Sequence, residues 1–291
     1  MEITFPLVAN AVIAGLLLGG FYAAVSVGVA ISFGMLDVVN IAHPAFIILG
    51  AYIAYTLNAW LGIDPIVGAL VVSPLFFLLG AGVYRIYHLA FESRGRGALP
   101  GLAFFFGILF ITEVVLILIF GVDYRMVKTS YSELSLHAGS IDFAFRLIVP
   151  FIVSVAMVVA LHLYLKHTFF GRAVLAVAQD PLALRLMGVN PVRVREVAFA
   201  LSIATAGIAG AFLIVIQPVQ PSIGREYIGL VFAVCVLGGL GSVYGTLVGA
   251  LILGLAETFT ATFFGPSWSP AVSFGLLLLA LAFKPTGLFG R

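Results

Sequence analysis

Long apolar runs, broken at intervals by only one or two charges, constrain this chain more than any other feature. A helix of about 20 apolar residues matches a bilayer core of about 30 Å. Runs of that kind stand at Leu7–Phe33, Ile41–Leu61, Ile66–Tyr84, Gly101–Phe120, Leu147–Leu165, Val197–Gln217, Tyr227–Leu240, Tyr244–Phe264 and Ala271–Phe283. They predict eight or nine spans, the count turning on whether GGLGSVYG (Gly238 to Gly245) ends one span or merely breaks it. Only 9% of the 291 residues are charged, where a soluble domain carries about a quarter. The expected fold is therefore an all-α polytopic transmembrane bundle, with residues 1–291 as a single membrane domain. The first run is longer than a signal-peptide core of roughly 7–15 residues, and it reads as the first span.

Orientation follows from the basic residues. Ten of the fourteen Lys and Arg side chains (Arg85, Arg94, Arg96, Lys166, Arg172, Arg185, Arg193, Arg195, Lys284 and Arg291) can face one side if the last span runs inward. The positive-inside rule makes that side cytoplasmic. The opposite face receives the mixed polar stretch Gly121 to Arg146, which suits a soluble partner or a solute mouth as well as it suits a plain solvated loop. The lone Cys235 rules out an intrachain disulfide. Glycines cluster inside spans, as at Gly15/Gly19, Gly245/Gly249 and AGIAGA (Ala206 to Ala211). Small residues at that spacing let helices approach closely, and packing within the chain is the expected use.

The cytoplasmic segment Lys166 to Arg195 contains AVAQDPLALRLMGVN (Ala176 to Asn190). Asp180 can cap the first turn of a short helix, Pro181 suits its first position, and Gly188 can take the left-handed conformation that stops it. A helix stopped at both ends on a membrane surface is a place for another protein to press.

Catalytic chemistry is missing. A phosphate-cradling G-x-x-x-x-G-K-[ST] loop needs Lys after Gly, and Lys128, Lys166 and Lys284 follow Val127, Leu165 and Phe283. The five histidines show no zinc spacing, and neither G-x-S-x-G nor H-E-x-x-H occurs. Enzymatic activity, a cofactor, a bound metal and nucleic-acid binding are not expected of this chain.

Polar groups inside spans are costly and often functional. Glu113 and Glu257 read either as proton or cation relays or as interhelical contacts. Asp37, Asn40 and His43 lie within seven residues between the first two runs, and Pro44 is expected to hold His43 out of helical geometry. Such a break is tolerated at membrane depth only against protein or a wet cavity. Gln217 and Gln220, beside two prolines, form a second break that reads as an outer gate or a loop.

FGMLDVVNIAHPAFIILGAY (Phe33 to Tyr52), the stretch Phe170 to Ala211, and VFAVCVLGGLGSVYGTLVGALILGLAE (Val231 to Glu257) resemble the permease subunits of branched-chain and hydrophobic amino acid ABC importers. The likeness runs along nearly the whole chain. It implies a bacterial inner-membrane location, a paralogous permease partner, two cytoplasmic ATPases that bind ATP and Mg, and a periplasmic solute-binding protein. It also implies that Asp180 to Gly188 is the coupling helix, with Asp180, Leu182, Ala183, Arg185, Leu186 and Gly188 meeting the ATPase. The importer consensus Glu-Ala-Ala-x-x-x-Gly keeps only Ala183 and Gly188 here; Leu182 and Leu186, one turn apart, suit an apolar groove. Asp37, Asn40, His43, Gln217, Gln220, Glu113 and Glu257 are the solute-pathway candidates, for a small zwitterionic or anionic solute. The rival reading is an ion-coupled secondary transporter that uses Glu113 and Glu257.

Overall fold

A computed structural model describes residues 4–95, 98–138, 141–284 and 286–290. Helices α1 (Phe5–Ser32), α2 (His43–Leu61), α3 (Pro65–Ala90) and α4 (Ala98–Phe120) lead to strands β1 (Ser135–Ala138) and β2 (Ile141–Ala144). There follow α5 (Phe145–His167), α6 (Phe169–Gln179), α7 (Pro181–Leu186), α8 (Pro191–Ile216), α9 (Gly224–Gly238), α10 (Val243–Phe263) and α11 (Ser269–Phe283). Among the described residues, nine helices are long and apolar enough to cross a membrane, all but α6 and α7, with α9 and α11 extended by the short helical turns that precede them to Pro221–Gly238 and Pro266–Phe283. The upper of the two expected counts is correct, because Gly239 (φ +104°) and Gly241 (φ +79°) turn the chain between α9 and α10.

Proline and small polar side chains set the starts. Asp64 accepts from the Ile66 amide at 2.8 Å ahead of Pro65, and Asn190 accepts from Val192 at 3.0 Å ahead of Pro191. Proline costs nothing at a helix start, where its missing N–H would have no intrahelical partner. Spans three and six accordingly begin earlier than the apolar runs suggested.

Lipid gives helices no hydrophobic reason to associate, so close packing has to do it. α8 is the axis of the bundle, buried along almost its whole length. A Cβ on Gly50 of α2 would stand 2.7 Å from the Gly207 carbonyl of α8, and one on Gly210 would stand 2.7 Å from the Ala51 amide. Gly80 of α3 meets Ala200 of α8 in the same way, and Gly19 of α1 meets Leu251 of α10. The glycines predicted to pack within the chain do so.

One expectation needs correcting, and two elements were not foreseen. His43 is the first residue of α2 rather than a non-helical one, because at that position the helix makes no use of the N–H that Pro44 lacks. The Asn40 side chain, accepting from the Ala42 amide at 3.1 Å, steers the chain into this start. α6 was not foreseen: it is too short to span, and buries Val174 and Val177 along one side. The outer stretch carries a two-stranded antiparallel hairpin, β1 on β2, a small addition to a bundle that is helical as expected. Arg96 and Arg291 lie outside the described residues.

Candidate functional site

The short helix α7 is built as its sequence suggested. Asp180 Oδ1 accepts from Leu182 N at 2.9 Å and from Ala183 N at 3.0 Å. At the other end Gly188 has φ +81°. Val189 N donates to Leu184 O at 3.1 Å and Gly188 N to Arg185 O at 2.9 Å, the paired bonds that close a helix through a left-handed residue. Leu184 is the one inward side chain, 5% exposed, while Leu182, Leu186 and Met187 are 66%, 83% and 79% exposed. Arg185 and Ala183 are exposed as well. The helix thus hangs on a single apolar anchor, which the sequence reading passed over, and offers its remaining apolar side chains outward.

Beside α7 lies a cavity of about 430 Å³ lined by His88, Glu92, Leu182, Arg185 and Arg195 among others. Its wall is a polar cluster that ties α3 to α8. Tyr84 donates to Glu92 Oε2 at 2.8 Å, His88 Nδ1 lies 2.7 Å from the same oxygen, and Arg195 pairs with Oε1. Sequence gave no cue to this cluster, since Glu92 and Arg195 are 103 residues apart.

At membrane depth the broken segments converge. The stretch between α1 and α2 turns back into the bundle, so that His43 Nε2 lies 3.2 Å from the Val25 carbonyl. The carbonyl can only accept, so the ring proton is on Nε2. His43 Nδ1 and Asn40 Nδ2 are buried without a hydrogen-bond partner among the described residues. Asp37 takes a left-handed backbone (φ +56°) and is exposed. On the outer side, Gln217 Nε2 donates to the Tyr227 hydroxyl at 2.8 Å. Gln220 is half-buried in the approach to α9. The start of α9 then meets the start of α2: a Cβ on Gly224 would lie 3.2 Å from Ile48 Cγ1 and 3.6 Å from the Pro44 carbonyl.

Both intramembrane carboxylates have partners. Glu257 Oε2 accepts from the Tyr22 hydroxyl at 2.6 Å and Oε1 from Ser273, tying α10 to α1 and α11. Glu113 Oε1 accepts from Arg225 Nη2 at 2.8 Å. These are the interhelical contacts that the sequence left as one option. Tyr22, Ser273 and Arg225 went unnoticed because nothing local marks them.

The polar outer stretch is fastened to the bundle. Arg125 and Val219 exchange both backbone bonds at 2.8 Å, and Val127 N donates to Ile214 O at 3.0 Å. Tyr131 donates to Asp64 at 3.3 Å, and partial burial pushes its hydroxyl up to about 12.

The family described as "Branched-chain amino acid transport system / permease component" matches residues 11–281. The chain is 30% identical over 290 residues to the high-affinity branched-chain amino acid transport system permease protein BraD of Pseudomonas aeruginosa, covering 95% of this chain and 94% of that protein. It is 29% identical over 293 residues to the corresponding permease protein LivH of Escherichia coli K12, with 95% and 94% covered. A solved structure, PsaBC from Streptococcus pneumoniae in complex with Fab, shares the fold with a TM-score of 0.50 at 13% identity, covering 96% of this chain and 92% of that one. Nine helices of membrane-crossing length among the described residues, a capped surface helix and a match across nearly the full length lead to one assignment: the chain belongs to the permease family of branched-chain amino acid transport systems.

Proposed function

We propose that this chain is one of two paralogous permease subunits of an ATP-driven importer in a bacterial inner membrane, carrying aliphatic amino acids delivered by a periplasmic binding protein. Two cytoplasmic ATPases supply the energy, holding ATP and Mg on their own chains. The observation that supports this most directly is α7, a helix closed at both ends and anchored by Leu184 alone, with Leu182 and Leu186 outward on the basic face. Such a helix fits an apolar groove on a soluble partner. Because α8 begins at Pro191, immediately beyond the Gly188 stop, a push on α7 acts on the central helix of the bundle. The outer stretch, pinned at Arg125 and Val127 to the end of α8 and carrying the hairpin beside α1, is where the binding protein docks.

The test is reconstitution with the neighbouring permease, ATPases and binding protein in proteoliposomes. Leucine uptake should require ATP, and Leu186→Asp should abolish co-purification of the ATPases. Uptake driven by a sodium or proton gradient without ATP would refute the reading.

A further inference from the structure

The ion pair between Glu113 of α4 and Arg225 of α9 is placed where a membrane protein rarely keeps one. Glu113 stands about 10 Å inside the outer end of α4, at 1.5 Å per residue. Arg225 opens α9, which starts only after the outer break has turned back into the bundle. Its side chain is nevertheless 53% exposed, against 11% for Glu113. A guanidinium at this depth faces water or another charge rather than lipid chains.

The contact uses little of either group. Nη2 of Arg225 meets Oε1 of Glu113, which leaves the rest of the guanidinium fork and the second carboxylate oxygen without hydrogen bonds among the described residues. The crevice between them is lined by Ala45, Ile48, Leu109, Thr112 and Leu116 and has about 10 Å³ of free volume, room for about one water molecule. The starts of α2 and α9 meet at its edge, so two helix N-termini add positive potential on the Arg225 side.

We propose that Arg225 and Glu113 form a recognition site for the zwitterionic head of an aliphatic amino acid, closed on itself when empty. Arg225 takes the solute carboxylate in its fork, on the side of the two helix starts. Glu113 takes the ammonium. The apolar wall receives the aliphatic chain. Loading exchanges one ion pair for two, so neither the empty nor the loaded site holds an uncompensated charge; a solute bearing a single charge would leave one group unpaired. Loading also requires α4 and α9 to part, since the closed crevice has no room for a solute. The site rests on the importer reading above, and it gives Glu113 a role that a sequence scan could assign only as a relay or a contact.

The experiment uses the reconstituted importer with radiolabelled leucine, isoleucine and valine. The decisive variant is Glu113→Gln with Arg225→Gln, which removes both charges together and leaves neither stranded in the span. It should assemble with the second permease and the ATPases, yet lose about tenfold to a hundredfold in uptake, the cost of hydrogen bonds to charged groups. Each single variant should be less stable than the double. Uptake at the wild-type level by the assembled double variant would overturn the site and leave the importer standing. Failure of the double variant to pair with the second permease would assign Arg225 to the subunit interface, and would also overturn it. If the wild-type importer carries none of the three solutes, the aliphatic substrate class and the site fall together.

Discussion

Replacing Gly188 by alanine isolates the left-handed stop of α7 from every other interaction. No atom lies within 4 Å of where the new Cβ would be, so the change brings no clash. The cost is conformational. An L-residue in the left-handed region loses about 1–2 kcal/mol, and the smaller entropy of the unfolded alanine chain returns about 0.4–1 kcal/mol. A net loss near 1 kcal/mol is a factor of about 5 in population. In most helices that would pass unnoticed, but a six-residue helix has little cooperativity to spare. The bonds Val189 N to Leu184 O and Gly188 N to Arg185 O both require the stop. Hydrogen exchange at the 188 and 189 amides should therefore quicken about fivefold, and solute-stimulated ATP hydrolysis by the assembled importer should fall. Gly188→Asn should do less, because asparagine tolerates this backbone. Exchange and hydrolysis both at wild-type levels in Gly188→Ala would refute the claim that the stop holds α7 in shape.

Leu184→Ala should release α7 from the bundle at a cost of about 2 kcal/mol or more, read as faster tryptic cleavage after Arg185 with the membrane helices intact. Gly210→Ala should lower thermal stability in detergent by about 1–3 kcal/mol, since its Cβ meets only backbone of α2. Gly82→Ala, with nothing within 4 Å, should not. Glu257→Ala should leave the Tyr22 and Ser273 hydroxyls without an acceptor, costing about 1–3 kcal/mol for each, whereas Glu257→Gln, which keeps one acceptor, should lose less in the same thermal assay.

The spans and the short surface helix α7 were legible because their determinants are local. Apolar length, a capping carboxylate at Asp180 and a glycine at 188 act within a few residues of the structure they specify. The candidate site was legible only in part. Glu113 and Glu257 stand out as charges in apolar runs, but their partners lie 112 and 235 residues away, and Arg225 resembles any other basic residue near the end of a span. Leu184 looks like its neighbours Leu182 and Leu186 until the helix is set against the bundle. Pro44 misled for a different reason: its effect depends on whether a helix starts just before it or continues through it, and the bond Asn40 accepts from the Ala42 amide, though local, has no sequence signal that sets it apart from any loop asparagine.

The meeting of α2 with α8 at Gly50, Gly207 and Gly210 has a mechanical meaning. Side chains between helices act as a cushion that rotamer changes can squeeze, so a small displacement of one helix is partly absorbed before it reaches the next. Here main chain rests on main chain, whereas α3 lies against α8 partly through the side chains of Phe76 and Ile203. α2 and α8 form a strut with little backlash. A nudge of an ångström delivered at the cytoplasmic end of α8 would arrive at the opening turn of α2, where Pro44 and Ile48 face Gly224, nearly undiminished.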